Sequence, residues 1–128
     1  MLELPQLQQV HRMKTGALLT ASCRLGAICA RADEKTLADI TAFGQHLGLT
    51  FQIVDDLLDV GGEEAQVGKR IGKDRNRGKV TYPALMGVAE SRRQASELID
   101  QACQALEPFG DSAVGLRDLA EFVRRRSR

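Results

Sequence analysis

Between Leu37 and Leu58 apolar side chains recur every three or four residues, through Leu37, Ile40, Phe43, Leu47, Phe51, Val54 and Leu58. That period belongs to a helix of 3.6 residues per turn, not to a strand that alternates every second residue. Asp33 stands where it can cap this helix, with Thr36 in the first turn. The helix is expected to end near Gly61-Gly62.

At about 100° per residue, Gln45, Gly48, Gln52, Asp55, Asp56 and Asp59 fall within an arc roughly 100° wide on this helix. A solvated face is the ordinary reading of helical carboxylates. Three features oppose it here. No cation stands at four-residue spacing to relieve the mutual repulsion of the three aspartates. They lie in the last turns, where the helix dipole disfavours acidic side chains by up to about 1 kcal/mol each. Phe51, Ile53, Val54, Leu57 and Leu58 make the surrounding stretch apolar almost all round, so the helix is expected to be buried. Buried carboxylates need partners, and hard divalent cations such as Mg²⁺ take carboxylate oxygens while leaving sites for water and phosphate.

Residues 61–79 hold five glycines and six Lys or Arg with little apolar periodicity, which predicts a loop directly after the acidic helix end. It brings Gly68-Lys69, Gly72-Lys73-Asp74 and Gly78-Lys79 close in sequence to the carboxylates. Diphosphate neutralisation calls for metal on one side and Lys or Arg on the other, with glycines permitting close approach. A solvated basic loop and a nucleic-acid patch completed by Arg124-Arg125-Arg126 are the competing readings. Without interleaved aromatics or a binding motif, no nucleic acid is expected as a partner.

Upstream, Pro5 suits a first helical turn, and Leu7, Val10, Met13, Ala17, Leu18, Ala21, Leu25 and Ile28 predict one helix over 5–30. Within it, Lys14-Thr15 lies between Met13 and the small pair Gly16-Ala17, where the lysine either snorkels at the surface or points inward. Downstream, Pro83 suits the start of a third helix and Ser91 a cap for a fourth that ends at Pro108 and Gly110. A last helix spans about 112–126.

Composition agrees with an all-α fold: aromatic content is 4%, Trp is absent, and Ala and Leu abound. Lys+Arg 18 against Asp+Glu 17 leaves no global field for nucleic acid or an anionic membrane. No apolar stretch approaches the roughly 20 residues of a transmembrane span, so a cytoplasmic protein without a transmembrane segment is expected. Cys23, Cys29 and Cys103 lack metal or redox spacing and are read as reduced, mostly buried small residues. No repeat or linker divides the chain.

Taken together, His11-Arg12-Met13-Lys14-Thr15-Gly16-Ala17-Leu18, the run from Gly48 through Phe51-Gln52-Ile53-Val54-Asp55-Asp56-Leu57-Leu58-Asp59, and Gly68-Lys69 through Lys79-Val80-Thr81-Tyr82-Pro83 closely resemble bacterial farnesyl and geranylgeranyl diphosphate synthases. The resemblance covers nearly the whole chain. It implies the isoprenoid synthase bundle of antiparallel helices around a deep apolar cavity, dimeric in the full-length protein, with residues 1–128 as the C-terminal part of a polyprenyl synthase domain.

By the same resemblance Asp55, Asp56 and Asp59 form the second aspartate-rich motif, Asp55 the most direct Mg²⁺ ligand and Asp74 ordering the water shell. Lys14, Lys69 and Lys79 become cations for the allylic diphosphate, and Thr15 and Gln52 steady the carbocation end. The implied reaction is Mg²⁺-assisted ionisation of the allylic diphosphate, attack by the double bond of isopentenyl diphosphate, and proton loss. The family's first aspartate-rich motif, its isopentenyl diphosphate ligands and the floor of its cavity have no counterpart here, so this chain alone is expected to be inactive and to expose apolar surface. A terpene cyclase on the same fold and a non-catalytic partner subunit are the alternatives, and the Gly-Lys loop favours the transferase over the cyclase.

Overall fold

A computed structural model describes residues 3–65 and 81–126. In order these form α1 (Leu4–His11), a π-helical turn (Arg12–Gly16), α2 (Ala17–Cys29), α3 (Glu34–Ala65), α4 (Tyr82–Met86), α5 (Val88–Ala105), a 3₁₀ segment (Glu107–Ala113) and α6 (Val114–Arg125). Among the described residues there is no strand, as the composition and the 3.6-residue period predict.

The long helix α3 is the centre of the assembly, with α2 and the π turn on one side and α5 on the other. Its apolar residues supply the core: Phe43, Leu47, Leu49, Ile53, Val54 and Leu57 are buried against Leu98, Ile99 and Ala102 of α5 and against Leu106, Ala120 and Val123. Each large apolar side chain removed from water stabilises the fold by about 1.5–3 kcal/mol. The expectation that this helix is buried therefore holds. Asp33 caps it as predicted, accepting the Thr36 N–H at 2.8 Å; hydrogen bonding from the Thr36 side chain, and then from this N–H, holds the Asp33 carboxyl below the usual carboxylate range.

Four expectations need correction. Helical backbone continues through Gly61-Gly62 to Ala65, because two glycines lower helix propensity without forbidding helical geometry. The helix expected over 5–30 is broken by the π turn at Arg12–Gly16, a feature that apolar spacing does not encode. Ser91 does not cap a helix. It lies inside α5, buried, and its Oγ donates to the Gly87 carbonyl at 2.7 Å. The helix starts three residues earlier because Gly87, at φ 88°, takes a backbone conformation open to glycine and ends α4 there. Cys29 is exposed, whereas Cys23 and Cys103 are half-buried; all three are free thiols.

The turn between α2 and α3 closes by two backbone bonds, from Arg31 N–H to the Ile28 carbonyl and from Ala32 N–H to the Ala27 carbonyl, both 3.0 Å. With so short a connection the two helices lie side by side. The π turn before α2 touches α3 at glycine: a Cβ on Gly48 would fall 2.6 Å from the Gly16 Cα. Backbone thus meets backbone where the π turn crosses α3. On the outer face of the first two helices, Met13, Leu18, Leu25 and Ile28 are exposed, Leu18 at 71%. No described helix is long and apolar enough to cross a membrane.

Candidate functional site

The π turn and α3 are joined by one side-chain bond. Gln52 Nε2 donates to Thr15 Oγ1 at 2.6 Å, and Gln52 is only 9% exposed. The close Gly16–Gly48 approach lies one turn earlier on α3 and lets the helices come near enough for that bond. With its amide donor committed to Thr15, Gln52 keeps the carbonyl end of its dipole for whatever occupies the far side. Lys14, next in the π turn, is exposed.

The aspartate stripe is divided by its surroundings. Asp56 is buried, and its Oδ2 accepts the Tyr82 backbone N–H at 3.1 Å. The same oxygen lies 3.9 Å from Nε2 of the buried His11, whose ring stacks on Tyr82 with centroids 5.6 Å apart. Asp56 therefore ties α3 to the start of α4 and the end of α1. Asp55 turns the other way, half-buried, where its Oδ1 accepts from Arg126 Nη2 at 3.3 Å. The Arg126 guanidinium also lies over the Phe51 ring, 5.0 Å from its centroid. Asp59 is exposed one turn beyond Asp55.

No group of three His, Cys, Asp or Glu side chains among the described residues is gathered closely enough to hold a metal by itself. Asp55 and Asp59 nevertheless suit a shared cation, since residues four apart on a helix are neighbours and an octahedral Mg²⁺ takes one or two carboxylates, completing its shell with water and phosphate. Lys69, Asp74 and Lys79 lie outside the described residues.

Three residues escaped the sequence reading. His11 stood within a quoted motif but looked like one polar residue in an amphipathic helix. Tyr82 entered only as part of the family motif that ends at Pro83. Arg126 belonged to a basic C-terminal run, and only folding brings it to Asp55, 71 residues away in sequence.

The profile of the polyprenyl synthetase family matches residues 1–111. A dimethylallyltranstransferase from Fischerella ambigua is 42% identical over 122 residues, covering 95% of this chain and 35% of that protein. The farnesyl diphosphate synthase of Escherichia coli is 40% identical over 129 residues, covering 98% of this chain and 43% of that protein. The crystal structure of a decaprenyl diphosphate synthase from Rhodobacter capsulatus superposes with a TM-score of 0.86 at 28% identity, over 99% of this chain and 51% of that one. The chain thus spans less than half the length of these two curated relatives, within an all-α fold that it shares with prenyl diphosphate synthases of known structure. On its sequence and its helical architecture alike, this chain belongs to the polyprenyl synthetase family.

Proposed function

We propose that this chain is the C-terminal part of a head-to-tail prenyl diphosphate synthase that joins an allylic diphosphate to isopentenyl diphosphate. The observation that carries the reading is the Gln52–Thr15 hydrogen bond. It holds Thr15 against α3 one turn from Asp55 and Asp56, which supports reading Lys14-Thr15, Gln52 and the carboxylates as parts of one site.

In this reading the allylic C–O bond breaks and the diphosphate leaves with the electron pair. The double bond of isopentenyl diphosphate then attacks the allylic carbon, and the proton lost goes to the departed diphosphate. Lys14, with Lys69 and Lys79 further along the sequence, neutralises the diphosphate. Gln52 and Thr15 turn oxygen atoms toward the electron-poor carbon, and the bond between them holds both in place. Asp55 and Asp59 are the residues that would hold Mg²⁺ directly, with Asp56 and Asp74 acting through water or by fixing the helix end. When bound, Mg²⁺ supplies Lewis-acid pull on the leaving oxygens. The whole protein would work as a cytoplasmic homodimer, and this chain alone would give no turnover because the cations and carboxylates opposite α3 are not on it.

Calorimetric titration with Mg²⁺ and a non-hydrolysable allylic diphosphate analogue tests the reading. Asp55→Ala should abolish binding. Asp39→Ala, at a carboxylate paired with Lys35 at 2.9 Å on the surface, should leave it intact. Equal binding by the two variants would refute the assignment.

A further inference from the structure

The geometry points to Arg126 as the resident counter-ion of Asp55, a guanidinium that occupies the carboxylate until a divalent cation displaces it. This rests on the proposed metal role of Asp55.

The pairing is particular to Arg126. Its neighbour Arg124 is held by acids of α5 and α6, with Nη2 2.7 Å from Asp100 and Nε 3.0 Å from Glu121, and Arg125 is exposed. Arg126 crosses to α3, through one bond to Asp55 Oδ1 and the face of Phe51. The two contacts sit one turn apart on α3, so the guanidinium spans one turn of that helix beside Asp55. It lies past the last residue of α6, where its own backbone N–H still bonds the Phe122 and Val123 carbonyls. The side chain can therefore leave Asp55 without unwinding a helix.

Two properties make it a placeholder, not a fixed structural link. An arginine cannot be deprotonated, so an incoming cation finds Asp55 already neutralised and must compete for it. The pair is also weak enough to yield: its side chains are 31% and 41% exposed, it has a single hydrogen bond of 3.3 Å, and partly exposed pairs of this kind contribute little. The arginine offsets the charge of Asp55 before metal arrives.

The test is calorimetric titration of this chain with Mg²⁺ alone, comparing the unaltered protein with Arg126→Gln, Arg125→Gln and Asp55→Ala. Displacement of a partly exposed pair predicts that Arg126→Gln binds Mg²⁺ about two- to fivefold more tightly. Arg125→Gln should match the unaltered protein, and Asp55→Ala should lose the binding. In ¹⁵N-arginine spectra, Mg²⁺ should shift the Arg126 side-chain signal that Arg126→Gln removes. Unchanged or weaker Mg²⁺ affinity in Arg126→Gln overturns the counter-ion inference and leaves the metal role of Asp55 standing. Mg²⁺ binding that survives Asp55→Ala, or is absent from the unaltered protein, overturns both.

Discussion

Gln52 reaches from the middle of α3 to the π turn and donates its amide N–H to Thr15 Oγ1 at 2.6 Å. Because Gln52 is nearly buried, removing the acceptor leaves a polar group without its partner, which costs about 1–3 kcal/mol. Thr15→Val should lower the unfolding free energy by that amount, read from urea denaturation as a lower midpoint. Adding Gln52→Leu should recover part of the loss, and a fully additive double mutant would mean that the two side chains are not coupled.

Gly48 and Gly26 make opposed predictions for one substitution. A Cβ on Gly48 would meet the Gly16 Cα at 2.6 Å, backbone against backbone, while a Cβ on Gly26 meets nothing within 4 Å. Gly48→Ala should destabilise by about 1–3 kcal/mol as the helices are forced apart. Gly26→Ala, in the exposed interior of α2, should stabilise by about 0.5–1 kcal/mol. Thermal unfolding of both variants checks the pair.

Asp56 distinguishes a carboxylate's charge from its role as an acceptor. Asp56→Ala leaves the buried Tyr82 N–H without the oxygen it bonds, and should cost about 1–3 kcal/mol. Asp56→Asn retains a carbonyl acceptor of the same shape and should restore most of the stability. Chemical denaturation of the two variants in metal-free buffer would show equal losses if the bond to Tyr82 contributes nothing.

His46 gives the fold a pH dependence. Burial disfavours its imidazolium and lowers its pKa from the ordinary 6.5. The unfolded chain therefore binds the extra proton more readily than the folded one. The stability linked to His46 is complete above about pH 6.5 and is lost as pH falls through the lower folded value. His46→Gln should flatten the urea midpoint between about pH 7 and 5; an unchanged slope would assign the dependence to another group.

Much of the fold was legible in the residues themselves because it depends on local periodicity and caps. Leu37 to Leu58 announced α3, Asp33 its start, and Pro5 and Pro83 the first turns of α1 and α4. What misled was also local: Ser91 has the chemistry of a cap, but the backbone reverses at Gly87 instead. Apolar spacing over 5–30 could not reveal the π turn, since one inserted residue shifts the phase of a helix without changing which residues favour it.

The carboxylate stripe shows where that division falls. Sequence alone determined that Gln52, Asp55, Asp56 and Asp59 share one arc of one helix, since the helical angle per residue is fixed by backbone geometry. It could not determine what each meets, because those partners come from distant parts of the chain: Thr15 for Gln52, Tyr82 and His11 for Asp56, Arg126 for Asp55. Only the packing of α1, α4 and α6 around α3 made Asp56 a buried anchor and left Asp55 and Asp59 facing outward, because burial and pairing are decided by neighbours in space and not by position along the helix.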